Sequence, residues 1–391
     1  MRLPSGCGFM SGKVVRLNKS LYGLKQASRQ WHQLLASTLK RFGFEQCLAD
    51  PCVMRLMMCG EVAAMVVMHV GDILFGGARS VSEEVVAALS DVSPTKHLGE
   101  LAWYMGSEYR RDRTAGTLEI SQTNFIRSVI DRFHVSRSSS IPASPSVDLR
   151  AVSDEESAEG VPFREVVGSL MWVANQRRPD IANAVRAVAR VSHDPKKTHW
   201  KAARKILDYL RATAHLGLTY RRGDGLDVGV GYDLGVEVSV DADYASKATD
   251  RRSVSGAVVT CGGAPVAWLS RTQKCVTLST TEAEYVAMGD GVKEALFVRG
   301  VLSFLVPDHK LGGITVLEDN EGAKALAENP LSSSNSKHID VRHHFLRELV
   351  STGEIAITHV SSKEQHADIL TKALAREIHE VHRDFLLGVT E

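Results

Sequence analysis

The chain has few cysteines and no long apolar run. Its six cysteines, Cys7, Cys47, Cys52, Cys59, Cys261 and Cys275, contain no C-x-x-C pair, and no H-x-x-x-H partner follows the Cys47–Cys59 cluster. A structural zinc site needs four closing ligands, so these residues read as reduced, buried thiols in a reducing compartment. The N-terminus lacks a charged segment followed by an apolar core, which excludes a signal peptide there. The most apolar window, Val62–Val70, is too short to cross a bilayer, and no membrane partner is expected. No strong charge imbalance exists either: the net charge is +1, so any nucleic-acid partner has to be sought in local charge. Against these absences stand 44% hydrophobic and 24% charged residues in 391, a soluble globular balance with room for two or three domains. No signal for oligomerisation is visible.

Periodicity supplies the elements. Leu21, Leu24, Trp31, Leu34, Leu35 and Leu39 recur at helical spacing and predict one helix over Ser20–Phe42, with Gly43 as its stop. Val53–Met58 and Val62–Val70 flank Cys59-Gly60 and predict a tight hairpin. A turn at Gly71-Asp72 leads into a strand at Ile73–Phe75. Helices are expected at Val81–Leu89 and Asn124–Phe133, with a strand at Leu118–Ser121 between them. Ser136–Gly160 collects serines, Pro142, Pro145 and three consecutive acids, and reads as a linker.

Residues 164–222 carry thirteen Lys/Arg against four acids. Helices are expected around Ile181–Val191 and His199–Thr213. Such clustering is either a solvated face or a surface that tracks phosphates. Trp172, Trp200 and Tyr209 within it read as core residues. After a Gly-rich connector, 223–235, the pattern turns strand-like at Val236–Val240, Gly256–Cys261 and Val266–Leu269. A helix at Thr281–Phe304, a strand at Ile314–Glu318, helices at Glu321–Ala327 and Ile339–Val350, a strand at Glu354–Val360 and a last helix at Ala367–Leu387 follow. The fold class is α/β (α+β). The domains read as 1–135, a linker at 136–160, a basic helical region at 161–225 and a mixed-sheet domain at 230–391.

Acids stand at the ends of these C-terminal elements. Asp241 closes a strand, Glu284 begins a helix just after Glu282, Asp319 closes another strand, and Asp368 opens the last helix. A pair of divalent ions about 3.5–4 Å apart, held by carboxylates from separate elements, can drive in-line attack of water on a phosphodiester, and magnesium prefers such hard oxygen ligands. Singly, each acid is more often a turn or cap residue, and the bland reading of Glu282 is a helix-start acid that only complements the macrodipole.

Five segments in succession change that weighing: Ser239–Ala245 (SVDADYA), Leu278–Tyr285 (LSTTEAEY), Glu318–Asn320 (EDN), Ser336–Arg342 (SKHIDVR) and Gln365–Lys372 (QHADILTK). Together they resemble the ribonuclease H domain of copia-type LTR retrotransposon Pol polyproteins. The resemblance implies metal ligands at Asp241, Glu284, Asp319 and Asp368, with Asp243 as second choice to Asp241. It also implies two Mg2+ (or Mn2+) ions and, as substrate, the RNA strand of an RNA–DNA hybrid, read by groove shape and 2′-hydroxyls. Lys337, His338 and Arg342 become candidate phosphate contacts, and His359 and His366 candidate proton shuttles by residue type.

Upstream, Leu17–Trp31 (LNKSLYGLKQASRQW, with Lys25 and Gln26) resembles the reverse transcriptase segment beside the templating base. Leu98–Leu101 and Tyr104–Gly106 resemble the later palm, and Pro162–Leu170 and Arg178–Ala182 the thumb and connection. The basic helices then acquire a hybrid-tracking role through Arg178, Lys196, Lys197, Lys201, Arg204 and Lys205. Two departures point to a lost polymerase. The Tyr-x-Asp-Asp hairpin is matched by His69-Val70-Gly71-Asp72, so Gly71 replaces the first carboxylate and Asp72 stands alone. The family's other metal-binding Asp lies on a palm strand upstream of the Leu17–Trp31 segment, and the chain is expected to be a truncated palm with an exposed sheet edge. The resemblance thus implies a ribonuclease H-type endonuclease with an inactive polymerase remnant, in an intracellular setting, either a cytoplasmic virus-like particle or the nucleus. The competing expectations are a nucleic-acid-binding remnant without turnover and a decayed transposon product.

Overall fold

A computed structural model describes residues 1–21, 23–145, 149, 156–222, 234–245, 251–309, 311–329 and 340–389. The chain divides into two compact units, 1–99 with 300–308, and 100–299 with 309–391.

In the first unit, helix α1 spans Ala27–Phe42, seven residues shorter at its start than the apolar spacing predicts. Gly23 takes φ +89° and Leu21 stays 45% exposed, so the segment before Ala27 turns instead of extending the helix. Leu35 and Leu39 are buried, and Gly43 ends the helix in the left-handed conformation. Strands β1 (Glu45–Gln46), β2 (Val53–Met58), β3 (Glu61–His69) and β4 (Asp72–Gly77) form a sheet in that order. Cys59 and Gly60 both have positive φ, which is what a two-residue hairpin turn demands. Val70 and Gly71 make the next turn, and β4 is an edge strand. Helix α2 (Arg79–Ser90) lays Val85 and Leu89 onto the core of Leu39, Met54, Val66 and Met68. Of the six cysteines, Cys47 and Cys261 are buried, whereas Cys7, Cys59 and Cys275 are exposed, which corrects the expectation of uniformly buried thiols.

The second unit contains a four-stranded antiparallel sheet of β5 (Trp103–Tyr104), β6 (Ser107–Asp112), β7 (Thr117–Ser121) and β8 (Leu218–Arg221). Helix α3 (Thr123–Arg132) follows β7. Three helices come next: α4 (Phe163–Gln176), α5 (Ala182–Ala189) and α6 (Lys197–Ala212). The first of these is absent from the sequence reading, although Phe163, Val166, Val167, Leu170, Val173 and Ala174 are buried at helical spacing. Within the stretch read as a linker, Ala143 and Leu149 pack on the same core and Ala158 is buried. Most of the Gly-rich connector, 223–233, lies outside the described residues.

A five-stranded sheet has the order β11-β10-β9-β12-β13, built from β9 (Val236–Asp243), β10 (Val254–Cys261), β11 (Ala264–Thr272), β12 (Ile314–Glu318) and β13 (Ile355–His359). Strands β9 to β11 are antiparallel, while β12 runs parallel to β9 and β13 to β12. Helices α7 (Thr280–Leu305), α8 (Glu321–Glu328) and α9 (Asp340–Ser351) are as the spacing predicts. The last helix is not. Residues His366–Leu370 form a 3-10 turn, and only Arg376–Leu387 is α-helical (α10), so Asp368 lies in the 3-10 turn and not at the start of an α-helix. The break lets Thr371 and Lys372 leave the helical path and reach the sheet.

Arg178 also requires correction. It is 0% exposed and unavailable to a phosphate. Its Nε and Nη2 donate to the Asp180 carboxylate at 2.9 and 2.8 Å, and Nη1 donates to the Thr213 carbonyl at 2.9 Å. The Tyr209 hydroxyl donates to Asp180 at 2.6 Å. Burial alone raises the Asp180 pKa, but the adjacent guanidinium outweighs it and holds the carboxyl below its ordinary value. The group stabilises the fold above its unfolded pKa near 3.9, and that contribution is lost as pH falls through the lower folded value. Asp180→Asn is expected to cost about 3–5 kcal/mol at neutral pH by stranding the buried guanidinium. Urea unfolding of parent and variant measures the gap, which narrows below about pH 4.

Candidate metal centre

The sheet register brings the first two acids together. In the parallel β9–β12 pair, Leu317 is level with Ser239. Asp241 lies two residues further along β9, and Asp319 directly follows the last residue of β12, so the register carries both acids to the same end of the sheet. The third acid depends on a close approach. A Cβ on Gly291 would meet Val240 Cγ1 at 2.6 Å and Ala257 Cβ at 3.0 Å, so α7 lies directly on the sheet. Glu284 is seven residues earlier on that same helix face. The result is a group in which one carboxylate oxygen each from Asp241, Glu284 and Asp319 lies within 4.8 Å of the others. Among the described residues this is the one group of three or more metal-ligating side chains.

Asp368 joins from the opposite face of the sheet. Gly256, paired with Asp241 across β9 and β10, leaves room for this: a Cβ there would meet Thr371 Cγ2 at 2.7 Å and the Ala367 carbonyl at 3.0 Å. The 3-10 turn thus sits against the strand. Lys372 Nζ lies 3.0 Å from both Asp241 Oδ1 and Asp368 Oδ1, and the Thr371 hydroxyl donates to Asp241 Oδ2. Asp368 is therefore tied to the centre through a shared ammonium.

The electrostatics are those of crowded anions. Burial, then the charges of Asp241, Glu318 and Asp319, push Glu284 well above the carboxylate range. Burial and Asp241 raise Asp368, with Lys372 opposing. Glu318, not singled out from sequence, is 0% exposed and is raised chiefly by burial. Its signal was present: in β12 it falls in the buried phase of the alternation with Ile314 and Val316. One carboxylate oxygen of Glu284 and one of Glu318 are buried without a hydrogen-bond partner. An unpaired, desolvated hard oxygen on Glu284, within the group formed with Asp241 and Asp319, fits a divalent cation of the magnesium class.

The remaining candidates separate. Asp319 accepts from the Ser362 hydroxyl at 2.7 Å. His359 Nε2 lies 3.1 Å from the Asp319 carbonyl, at the edge of the centre. His366 instead packs: its ring stacks on Phe385 at 3.6 Å and its Nδ1 meets that of His382 at 3.1 Å. Burial and His382 push it down to about 4, so it is neutral at physiological pH. Glu282 accepts from the Leu278 N–H at 2.6 Å, a helix-start role. Lys196 pairs with Asp194 and Lys197 with Glu156. Arg204 donates to the Phe133 carbonyl at 2.7 Å. Lys201 is exposed and Lys205 half-buried. Lys337 and His338 lie outside the described residues, as does the side chain of Arg342. In the first unit, Gly71 and Asp72 sit at the β3–β4 turn, with Asp72, Lys25 and Gln26 exposed.

Sheet order and carboxylate placement together describe a ribonuclease H-like domain. Residues 1–145 match the family model described as reverse transcriptase (RNA-dependent DNA polymerase). The Retrovirus-related Pol polyprotein from transposon TNT 1-94 of Nicotiana tabacum is 34% identical across 99% of this chain, which spans 29% of that polyprotein. The corresponding polyprotein from transposon RE1 of Arabidopsis thaliana is 32% identical across 93% of the chain and is spanned over 24% of its length. The solved RNase H1 from the archaeon Halobacterium salinarum aligns with 35% of this chain and 93% of its own, at 19% identity and a TM-score of 0.27. The chain belongs to the copia-type retrotransposon Pol family and carries its reverse transcriptase and ribonuclease H regions.

Lys372 fills the place of a counter-ion. Lys372→Met should leave Asp241 and Asp368 facing each other uncompensated, at a cost of about 2 kcal/mol without divalent ions. The melting temperature should then rise more on adding Mg2+ than it does for the parent. Equal shifts in scanning fluorimetry would show that the ammonium does not stand in for a cation.

Proposed function

We propose that the domain from about Val236 onward cleaves the RNA strand of RNA–DNA hybrids in a divalent-cation-dependent reaction. The observation that carries this reading is the convergence of Asp241, Glu284 and Asp319, with Asp368 tied in through Lys372. These four side chains would hold two Mg2+ or Mn2+ ions, which when bound supply charge stabilisation for the attacking and departing oxygens of an in-line displacement. The protein's own part is positional. Thr371 and Lys372 fix both oxygens of Asp241, so its carboxylate orientation is set before substrate arrives. Ser362 orients Asp319 in the same way. His359, half-exposed beside the Asp319 carbonyl and 3.7 Å from Glu321, is placed to relay a proton at the edge of the centre.

The second part of the proposal is that nucleotidyl transfer is lost. A polymerase centre needs paired carboxylates to hold its cations. Gly71 offers none, and among the described residues Asp72 belongs to no metal-ligating group. An intracellular setting, in a cytoplasmic particle or the nucleus, accompanies this reading and is testable by fractionation of the tagged chain.

The test is a labelled RNA–DNA hybrid incubated with Mg2+ and the parent chain, beside Asp319→Asn and Glu284→Gln. Cleavage by the parent, reduced at least a thousandfold in both variants, is expected. Hybrid binding by all three without cleavage would reduce the chain to a binding module, and primer extension above background would overturn the assignment of Gly71.

A pH dependence follows from Glu284. Its raised pKa keeps it protonated near neutrality without a cation, so cation uptake must expel that proton. Higher pH therefore favours binding. The Mg2+ concentration for half-maximal cleavage should fall up to about tenfold per pH unit between pH 6.5 and 8.5. A flat dependence would show that Glu284 is already ionised.

A further inference from the structure

Helices α5 and α6 line a half-open cleft of about 430 Å3 beside the metal centre. Arg186 and Arg190 come from α5 and its end, and Lys201 and Lys205 from α6. Each pair is spaced by four residues, so each lies on one helix face. None of these four cations forms a direct salt bridge with another described residue, although Arg186 donates to Asn183 Oδ1 at 2.7 Å, Ser270 Oγ at 3.2 Å and Thr272 Oγ1 at 3.5 Å and is drawn by the Asp243 carboxylate in the same wall. Like charges at this spacing oppose helix formation, and packing two such pairs around one space adds to the repulsion. An anion inside the cavity reverses the sign of that interaction.

The walls narrow the class of anion. Between the cations lie Ala184, Val188, Ala202, Ile206 and Leu149, an apolar surface that a bare phosphate would not use. The volume lies in the range of small-molecule pockets. Guanidinium forks and ammonium groups are the usual partners of phosphate oxygens. The remaining wall contains Asp243, Thr371 and Lys372. Thr371 and Lys372 also hold Asp241, so cavity and carboxylates share two residues. A base within a duplex is stacked and paired, and so cannot lay its face on the apolar wall of the cleft.

We propose that this cavity binds one unpaired nucleoside phosphate, with its base against the apolar wall and its phosphate between α5 and α6. The ligand is either a free mononucleotide or the terminal nucleotide of a single-stranded overhang. Binding does not require the hydrolytic activity proposed above.

Isothermal titration of the full chain with adenosine 5′-monophosphate, without divalent ions, tests this. The nucleotide should bind at least tenfold more tightly than adenosine or inorganic phosphate. The double variant Lys201→Gln/Lys205→Gln and the cavity-filling Ala202→Phe should each weaken it tenfold or more, with folding checked by circular dichroism. Asp319→Asn should bind as the parent does. Equal affinity for phosphate and the nucleotide, or unchanged binding in both cavity variants, overturns the proposal. A hybrid with a 5′-phosphorylated overhang separates the two sources. Displacement of that hybrid by the mononucleotide, beside an undisplaced blunt hybrid, assigns the cavity to strand ends. Equal binding of both hybrids, with the mononucleotide still bound, assigns it to free nucleotides.

Discussion

Mutual repulsion among buried carboxylates is the constraint around which the C-terminal half is organised. Asp241, Glu284 and Glu318 are each less than a tenth exposed, and water can do little to screen them. The fold must force them together and then answer the charge. Forcing is done by backbone: a parallel register between β9 and β12, and two glycines, Gly256 and Gly291, at which neighbouring elements approach closer than any side chain allows. The answer comes partly from Lys372 and partly from proton uptake by Glu284. A site held in this condition favours any dication small enough to enter, because binding removes repulsion as well as adding attraction.

A second buried charge system supports the first from behind. Arg178, Asp180, Tyr209 and Thr213 join the start of α5 to the end of α6. His379 of α10 lies 3.4 Å from the Asp180 carbonyl, and Trp268 of β11 donates to the Ala174 carbonyl at 3.0 Å. The basic helices and the five-stranded sheet accordingly share one core, in which Val258, Ile369, Leu370 and Leu386 pack with the residues of α4 to α6. Their cations serve different ends. Arg178 and Arg204 hold the interior and the neighbouring backbone, whereas Lys201 and Lys205 line the cavity.

Short apolar runs made the strands of the C-terminal sheet readable, and short motifs at their ends picked out Asp241, Glu284 and Asp319, which the structure brings together. Errors arose where one local signal was extended too far. Apolar spacing started both the first and the last helix too early, carrying the first back through Gly23 and the last back through Lys372 to Ala367. A charge count placed Arg178 on the surface because it does not register that Asp180, two residues on, turns inward with it. Helix α4 was passed over because its stretch was read for charge and not for its apolar period. Glu318 was hidden beside a more familiar acid, although an acid on the buried face of a strand is itself a signal.

The C-terminal helix has a consequence for inheritance. Leu386 is fully buried in the shared core, and Gly388 lies so close to β8 that a Cβ would overlap the Thr219 carbonyl. The final residues therefore close a surface laid down more than 150 positions earlier. A nonsense mutation just after Lys372 would preserve every carboxylate of the metal centre and still expose the Arg178–Asp180 pair to solvent. Loss of the nineteen residues from Ala373 to Glu391 would therefore be as damaging as loss of the site itself.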